Sequence, residues 1–177
     1  FGPKVTTEHK VKSLVGPSVQ IDEAGALSLA WMEENKEVRS VMYARSPEPG
    51  GPMGAPVRIN RAEDIPYWRQ EAPALVVQGE DVFVTWGLAH PKATPEQPFA
   101  TELRLSHSKD GGRTFQPSIG VNDDPGVIQH TFDALHRDAE GRLHVSWIDG
   151  REGKKDPGTY VARSLDQGQT ITKNAKV

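Results

Sequence analysis

Short apolar stretches and polar turns alternate along the chain in three similar units. Each unit opens on a brief apolar segment: Pro17-Ser18-Val19-Gln20-Ile21, Pro73-Ala74-Leu75-Val76-Val77 and Phe132-Asp133-Ala134-Leu135-His136. A polar turn holding Gly25, Gly79 or Gly141 follows. An alternating stretch then ends in tryptophan: Ala26-Leu27-Ser28-Leu29-Ala30-Trp31, Val82-Phe83-Val84-Thr85-Trp86 and Leu143-His144-Val145-Ser146-Trp147. A period of two predicts half-buried strands, and the recurring tryptophan a shared packing position. Past each tryptophan a loop of variable length leads to a third strand, expected over 38–44, 101–105 and 159–162. A fourth closes the first two units, over 56–60 and 118–122.

The third strand of each unit runs into a hairpin of one design. In the second unit it is Ser108-Lys109-Asp110-Gly111-Gly112-Arg113-Thr114-Phe115, an S-x-D-x-G-x-T-F pattern. The third unit carries Ser164-Leu165-Asp166-Gln167-Gly168-Gln169-Thr170-Ile171, and the first a decayed version from Ser46 through Glu48 and Gly50 to Met53. The pattern has a mechanical reading. The aspartate accepts bonds from backbone N–H groups, the glycine takes positive φ, and the serine and threonine hydroxyls close the loop. Phe115 starts the return strand with its ring under the hairpin. Asn60 lies 14 residues after Ser46, and Asn122 lies 14 after Ser108; the same offset from Ser164 falls just past Val177.

Four antiparallel strands per unit, with tryptophans 55 and then 61 residues apart, describe blades of a β-propeller. The expected division is an N-terminal segment over 1–14, then blades over 15–60, 61–122 and 123–177. Within the first segment, Val5-Thr6-Thr7 and Lys10-Val11-Lys12 suit either a single edge strand or a frayed terminus.

The hairpins at Ser108 and Ser164 resemble the Asp-boxes of bacterial neuraminidase repeats. The chain is similar to the sialidase-like propeller superfamily over nearly all its length, departing at Ile171, where that family prefers an aromatic residue. The resemblance implies an all-β, six-bladed propeller of which three four-stranded antiparallel blades are present here. By family habit it also implies an extracytoplasmic, periplasmic or secreted location. An open arc of three blades would expose apolar flanks and unpaired edges. Further blades of a longer chain, a second copy, or other subunits would have to cover them.

Composition agrees with many strands and many turns: 36% hydrophobic residues, 17 glycines and 14 prolines in 177 residues. A net charge of −3 with scattered Lys and Arg leaves no footprint for nucleic acid. The absence of cysteine excludes disulfides and thiol chemistry. No apolar run approaches the ~20 residues that span a bilayer. No Ser-hydrolase, zinc-protease or phosphate-loop motif occurs, and no catalytic residue, metal ligand or cofactor is assigned.

In a propeller blade the hairpins joining strands one to two and three to four share one face. Asp110 and Asp166, with Ser108, Gly112, Thr114, Phe115, Ser164, Gly168 and Thr170, therefore read as structural. The opposite face collects the loops before each first strand and after each tryptophan. There Tyr67, Trp68, Arg69, His90, His130, Asp149 and Arg151 offer aromatic platforms, cations, imidazoles and a carboxylate. That mixture suits a carbohydrate or anionic ligand.

Sialidases resembling this fold hold the substrate carboxylate with arginines, one of them in an F/Y-R-I-P segment leading into a first strand; bidentate pairing is the reason for arginine. Aligned on Pro73-Ala74-Leu75, this chain has Glu71 in that slot, and its other units read Val15-Gly16-Pro17 and Thr131-Phe132-Asp133. The absence favours a non-catalytic sialidase-like module with a binding or structural role in a larger protein or assembly. The alternative is an exo-sialidase or related glycoside hydrolase whose remaining site residues lie in other blades.

Overall fold

The computed structural model describes residues 13–36, 38–67, 71–153 and 156–177. They form twelve strands and, among the described residues, no helix. Blade 1 comprises β1 (Ser13–Ile21), β2 (Leu27–Asn35), β3 (Val38–Arg45) and β4 (Val57–Arg58). Blade 2 comprises β5 (Ala74–Gln78), β6 (Asp81–Ala89), β7 (Thr101–Ser108) and β8 (Ile119–Gly120). Blade 3 comprises β9 (His130–Arg137), β10 (Leu143–Asp149), β11 (Gly158–Ser164) and β12 (Ala175–Lys176). Each is a four-stranded antiparallel meander in chain order. β5 touches both β1 and β9, so the three first strands stand together on the inner side and the sheets fan outward from them. The architecture is therefore three successive propeller blades. Most of the expected N-terminal edge strand lies outside the described residues.

The core sits between blades. Ala30, Met32, Val41 and Tyr43 of blade 1 meet Leu75, Val82, Val84 and Trp86 of blade 2. On the other side of blade 2, Phe83, Leu103 and Leu105 meet Leu143, Val145, Trp147 and Tyr160. This explains a difference in patterning. β6 is covered on both faces and reads as a nearly continuous apolar run, whereas β2 and β10 each alternate. Trp86 and Trp147 are fully buried, each turned toward the preceding blade. Trp31, half-buried, occupies the same register on the side of blade 1 away from blade 2.

The repeat extends to single hydrogen bonds. Just past the short fourth strands, Ile59 N–H donates to Val41 O at 2.8 Å, Val121 N–H to Leu103 O at 2.9 Å and Val177 N–H to Thr159 O at 2.9 Å. The two asparagines at the 14-residue offset act alike: Asn60 Oδ1 accepts from Val41 N–H and Asn122 Oδ1 from Leu103 N–H, both at 2.8 Å.

The hairpins close as their chemistry requires. Asp110 accepts from Thr114 N–H at 2.9 Å and Thr114 Oγ1 at 2.6 Å, while Ser108 Oγ accepts from Gly112 N–H at 2.9 Å. Asp166, Thr170, Ser164 and Gly168 repeat these bonds at 2.9, 2.6 and 2.7 Å. In blade 1, Ser46 Oγ instead donates to Glu48 O at 2.6 Å, so backbone replaces the aspartate carboxylate. Phe115 is half-buried and its ring meets the edge of Tyr43 at 5.5 Å, reaching blade 1 rather than only its own hairpin. Among the described residues no helix is long and apolar enough to cross a membrane.

Candidate functional site

The inner strands break their pairing at one place. β1 shifts register between Val15 and Ser18, leaving Gly16 and Pro17 as a bulge against β2, and β9 does the same at Phe132 and Asp133 against β10. In blade 2 the equivalent residues, Ala72 and Pro73, immediately precede β5. Bulges re-aim side chains and are common beside active sites. Here the β9 bulge brings an acid of blade 3 to an acid of blade 2.

Those acids are Asp133 and Glu71. Glu71 is 9% exposed, and its Oε2 has no hydrogen-bond partner among the described residues. Burial pushes its carboxyl up to about 7, and the neighbouring Asp133 charge adds to the rise, against the backbone N–H of Phe132, which faces it. Asp133 accepts from Thr85 Oγ1 and is raised mainly by desolvation. Gly87 makes room on β6: a Cβ there would lie 3.5 Å from Tyr67 Cβ and 4.0 Å from Glu71 Oε2. Tyr67 is held by its N–H on Gly87 O at 2.8 Å. Two acids of which one is poised to keep its proton near neutrality can donate a proton and stabilise positive charge at the same centre.

The candidate residues of the loop face separate into groups. Tyr67 is buried against Gly87, beside Glu71. Trp68 and Arg69 lie outside the described residues. His90 stands apart, its Nδ1 accepting from Lys92 N–H at 3.1 Å and its Nε2 3.7 Å from Glu102. His130, Asp149 and Arg151 come together in a network between blades 2 and 3. His130, fully buried, sets Nδ1 2.5 Å from Thr101 O and Nε2 2.6 Å from Asp124. Asp149, also fully buried, accepts from Trp147 Nε1 and Arg151 Nη2, each at 2.8 Å. Arg151 reaches Asp123 at 2.9 Å and Asn174 at 3.0 Å, with its guanidinium 4.1 Å from the Tyr160 ring centre. These bonds are directed at one another and clamp blade 3 to blade 2.

One ligand atom from each of Asp124, His130 and Asp149 lies within 4.8 Å of the others, a donor set of the type that binds a divalent ion. Arg151 already stands 2.8 Å from Asp149 and 3.5 Å from Asp124, so the carboxylate charge is matched by protein.

The hairpin face also holds a cleft of about 360 Å³, lined by Tyr43, Arg45, Glu80, Gly112 and Arg113 among others. Its charges are spent locally: Arg45 pairs with Asp22 at 2.5 Å and donates to Gly79 O at 3.0 Å, and Arg113 stands 3.6 Å from Glu80. The candidate acids lie at the opposite, bulged end. Of its two acids, the sequence showed Glu71 only as an arginine slot filled by the wrong residue. Asp133 carried one available signal, a charge inside an otherwise apolar strand start.

No protein-family profile matches the chain, and no curated protein sequence does. Solved structures do. A protein of unknown function from Dyadobacter fermentans superposes with a TM-score of 0.68 at 17% identity, over 99% of this chain and 54% of that one. The Hadza microbial sialidase Hz136 gives 0.63 at 16%, over 91% and 37%. Zg3597, a family 117 glycoside hydrolase of Zobellia galactanivorans, gives 0.63 at 13%, over 92% and 55%. The chain thus shares their fold and spans about half, or less, of their length.

Proposed function

We propose that this chain supplies the acid pair of a β-propeller glycoside hydrolase, with Glu71 as general acid and Asp133 as its ionised partner. One observation carries the reading: a carboxyl nine-tenths buried, held near a pKa of 7 and lacking a partner for one oxygen, stands beside a second carboxyl at the bulged end of the inner strands. Glycoside hydrolysis uses such a pair, one acid protonating the leaving oxygen while the other acts as base or nucleophile. A sialidase and a family 117 glycoside hydrolase among the matched folds support it. The remaining subsites would come from further blades, from a second copy or from other subunits. We also infer an extracytoplasmic location, as the sequence resemblance implies.

A second reading, a non-catalytic sialidase-like module, is favoured by Glu71 itself, since an acid in the arginine slot offers a sialic acid carboxylate no cation to pair with. The full-length protein, incubated with a panel of neutral chromogenic glycosides and a fluorogenic sialoside, separates the two. Hydrolysis of a neutral glycoside, with kcat/KM falling as pH rises through about 7 and lost in Glu71→Gln, supports the hydrolase. Glycan binding without turnover at any pH supports the module. Sialoside turnover unaffected by Glu71→Gln overturns the assignment of Glu71.

A further inference from the structure

Phe132 combines features that packing does not explain. Its φ of +55° lies in the left-handed region, which a bulky aromatic residue rarely adopts. Within these three blades no burial offsets that cost, because Phe132 is 66% exposed. Nor does the bulge itself call for an aromatic: the matching positions are Gly16 in blade 1 and Ala72 in blade 2. Strained residues kept at a surface cluster at functional sites. The neighbours of this one are chemical, since its backbone N–H faces the Glu71 carboxyl and the next residue is Asp133.

We propose that the Phe132 ring is a stacking platform for the apolar face of a neutral sugar, holding it with a glycosidic oxygen within reach of Glu71. The inference rests on the reading of Glu71 and Asp133 as a glycan-processing pair and names the class of ligand. Aromatic side chains present a large, rigid apolar surface that suits the C–H face of a sugar ring. Neutrality follows from the charge of the described residues. Asp133, the ionised member of the pair, repels an anionic sugar, and Arg151, which stands with the blade 2–blade 3 network, is engaged by Asp149, Asp123 and Asn174.

The test uses the full-length protein carrying Glu71→Gln, so that binding is read without turnover. Arabinobiose, galactobiose, lactose and 3′-sialyllactose are titrated by calorimetry and by observing aromatic proton shifts. A neutral disaccharide is expected to bind and to move the Phe132 ring resonances. Adding Phe132→Ala or Phe132→Gly weakens it by about tenfold, while Phe132→Trp keeps it. Thermal midpoints of these variants confirm that the fold is retained. Binding that is equal with and without Phe132→Ala overturns the platform while leaving the acid pair standing. Failure of every neutral sugar to bind either protein overturns the glycan reading and the platform with it. A preference for sialyllactose overturns the neutral class.

Discussion

Gly112 is where the hairpin of blade 2 meets the ring of Tyr43 from blade 1, and replacing it with alanine separates two costs. Its φ is +87°, so any side chain pays for left-handed backbone, ~1–2 kcal/mol for alanine. A Cβ would also lie 1.9 Å from Tyr43 Cε1 and 2.5 Å from Cδ1, far inside contact distance. Tyr43 cannot swing away freely. It is 1% exposed, its hydroxyl is 2.9 Å from Ser28 Oγ, and its ring abuts Phe115. Forcing bulk into such a site adds ~1–3 kcal/mol. Gly112→Ala should therefore cost about 2–5 kcal/mol, lowering the thermal midpoint by roughly 4–20 °C for a chain of this size. Gly168 occupies the same place in blade 3 at φ +79°, but a Cβ there finds Phe83, Leu105 and Leu143 at an ordinary 3.4–3.5 Å. Gly168→Ala should cost only the backbone part, ~1–2 kcal/mol. Urea denaturation of both variants, and of Gly112→Ala in a Tyr43→Ala background, measures the difference. Equal costs for the two glycines, or no recovery when Tyr43 is trimmed, would refute the account of blade packing through the hairpins.

Three further outcomes follow from other parts of the molecule. Asp149→Ala strands Trp147 Nε1, Arg151 and the buried His130, and should destabilise by about 3–5 kcal/mol in equilibrium unfolding, as breaking a buried ionic network does. Asn60→Ala and Asn122→Ala each leave a third-strand N–H without its acceptor and should cost about 1–3 kcal/mol apiece, near-equal values being the mark of a true repeat. Glu71 has a folded-state pKa raised from 4.5 to about 7, so the folded protein holds the proton longer than the unfolded chain does. Its contribution is present below pH 4.5 and fades by about 3 kcal/mol as pH rises to 7, and Glu71→Gln should flatten that slope in denaturation series.

Much of this architecture is legible in the residues, because it is written in local chemistry. The Ser-Asp-Gly-Thr hairpins carry their own hydrogen bonds, the tryptophans share a register, and the offsets of Asn60 and Asn122 return as equivalent bonds to strand three. Phe115 is harder to read, since its contact with Tyr43 joins different blades. The acid pair was hidden for the same reason: Glu71 and Asp133 are 62 residues apart, and only the β9 bulge brings them together. The bulge leaves no mark of its own, being built from Gly-Pro in blade 1 and Phe-Asp in blade 3. A subtler signal was available. Trp31 and Trp147 each donate to an acid two residues on, Glu33 and Asp149, whereas Trp86 is followed by Leu88 and its buried N–H has no partner among the described residues. Blade 2 is thus the unit without a structural acid at this place on its second strand, and it is this blade that presents Glu71 to the bulged end.

The proton that buried Glu71 keeps beside Asp133 is the centre of the account, and titrating the side-chain carboxyl carbon of Glu71 by ¹³C NMR in the full-length protein tests it directly. The account predicts a midpoint near 7 that falls in Asp133→Asn yet stays above 4.5, because burial is the larger cause. A midpoint at about 4.5, unmoved by Asp133→Asn, would contradict it.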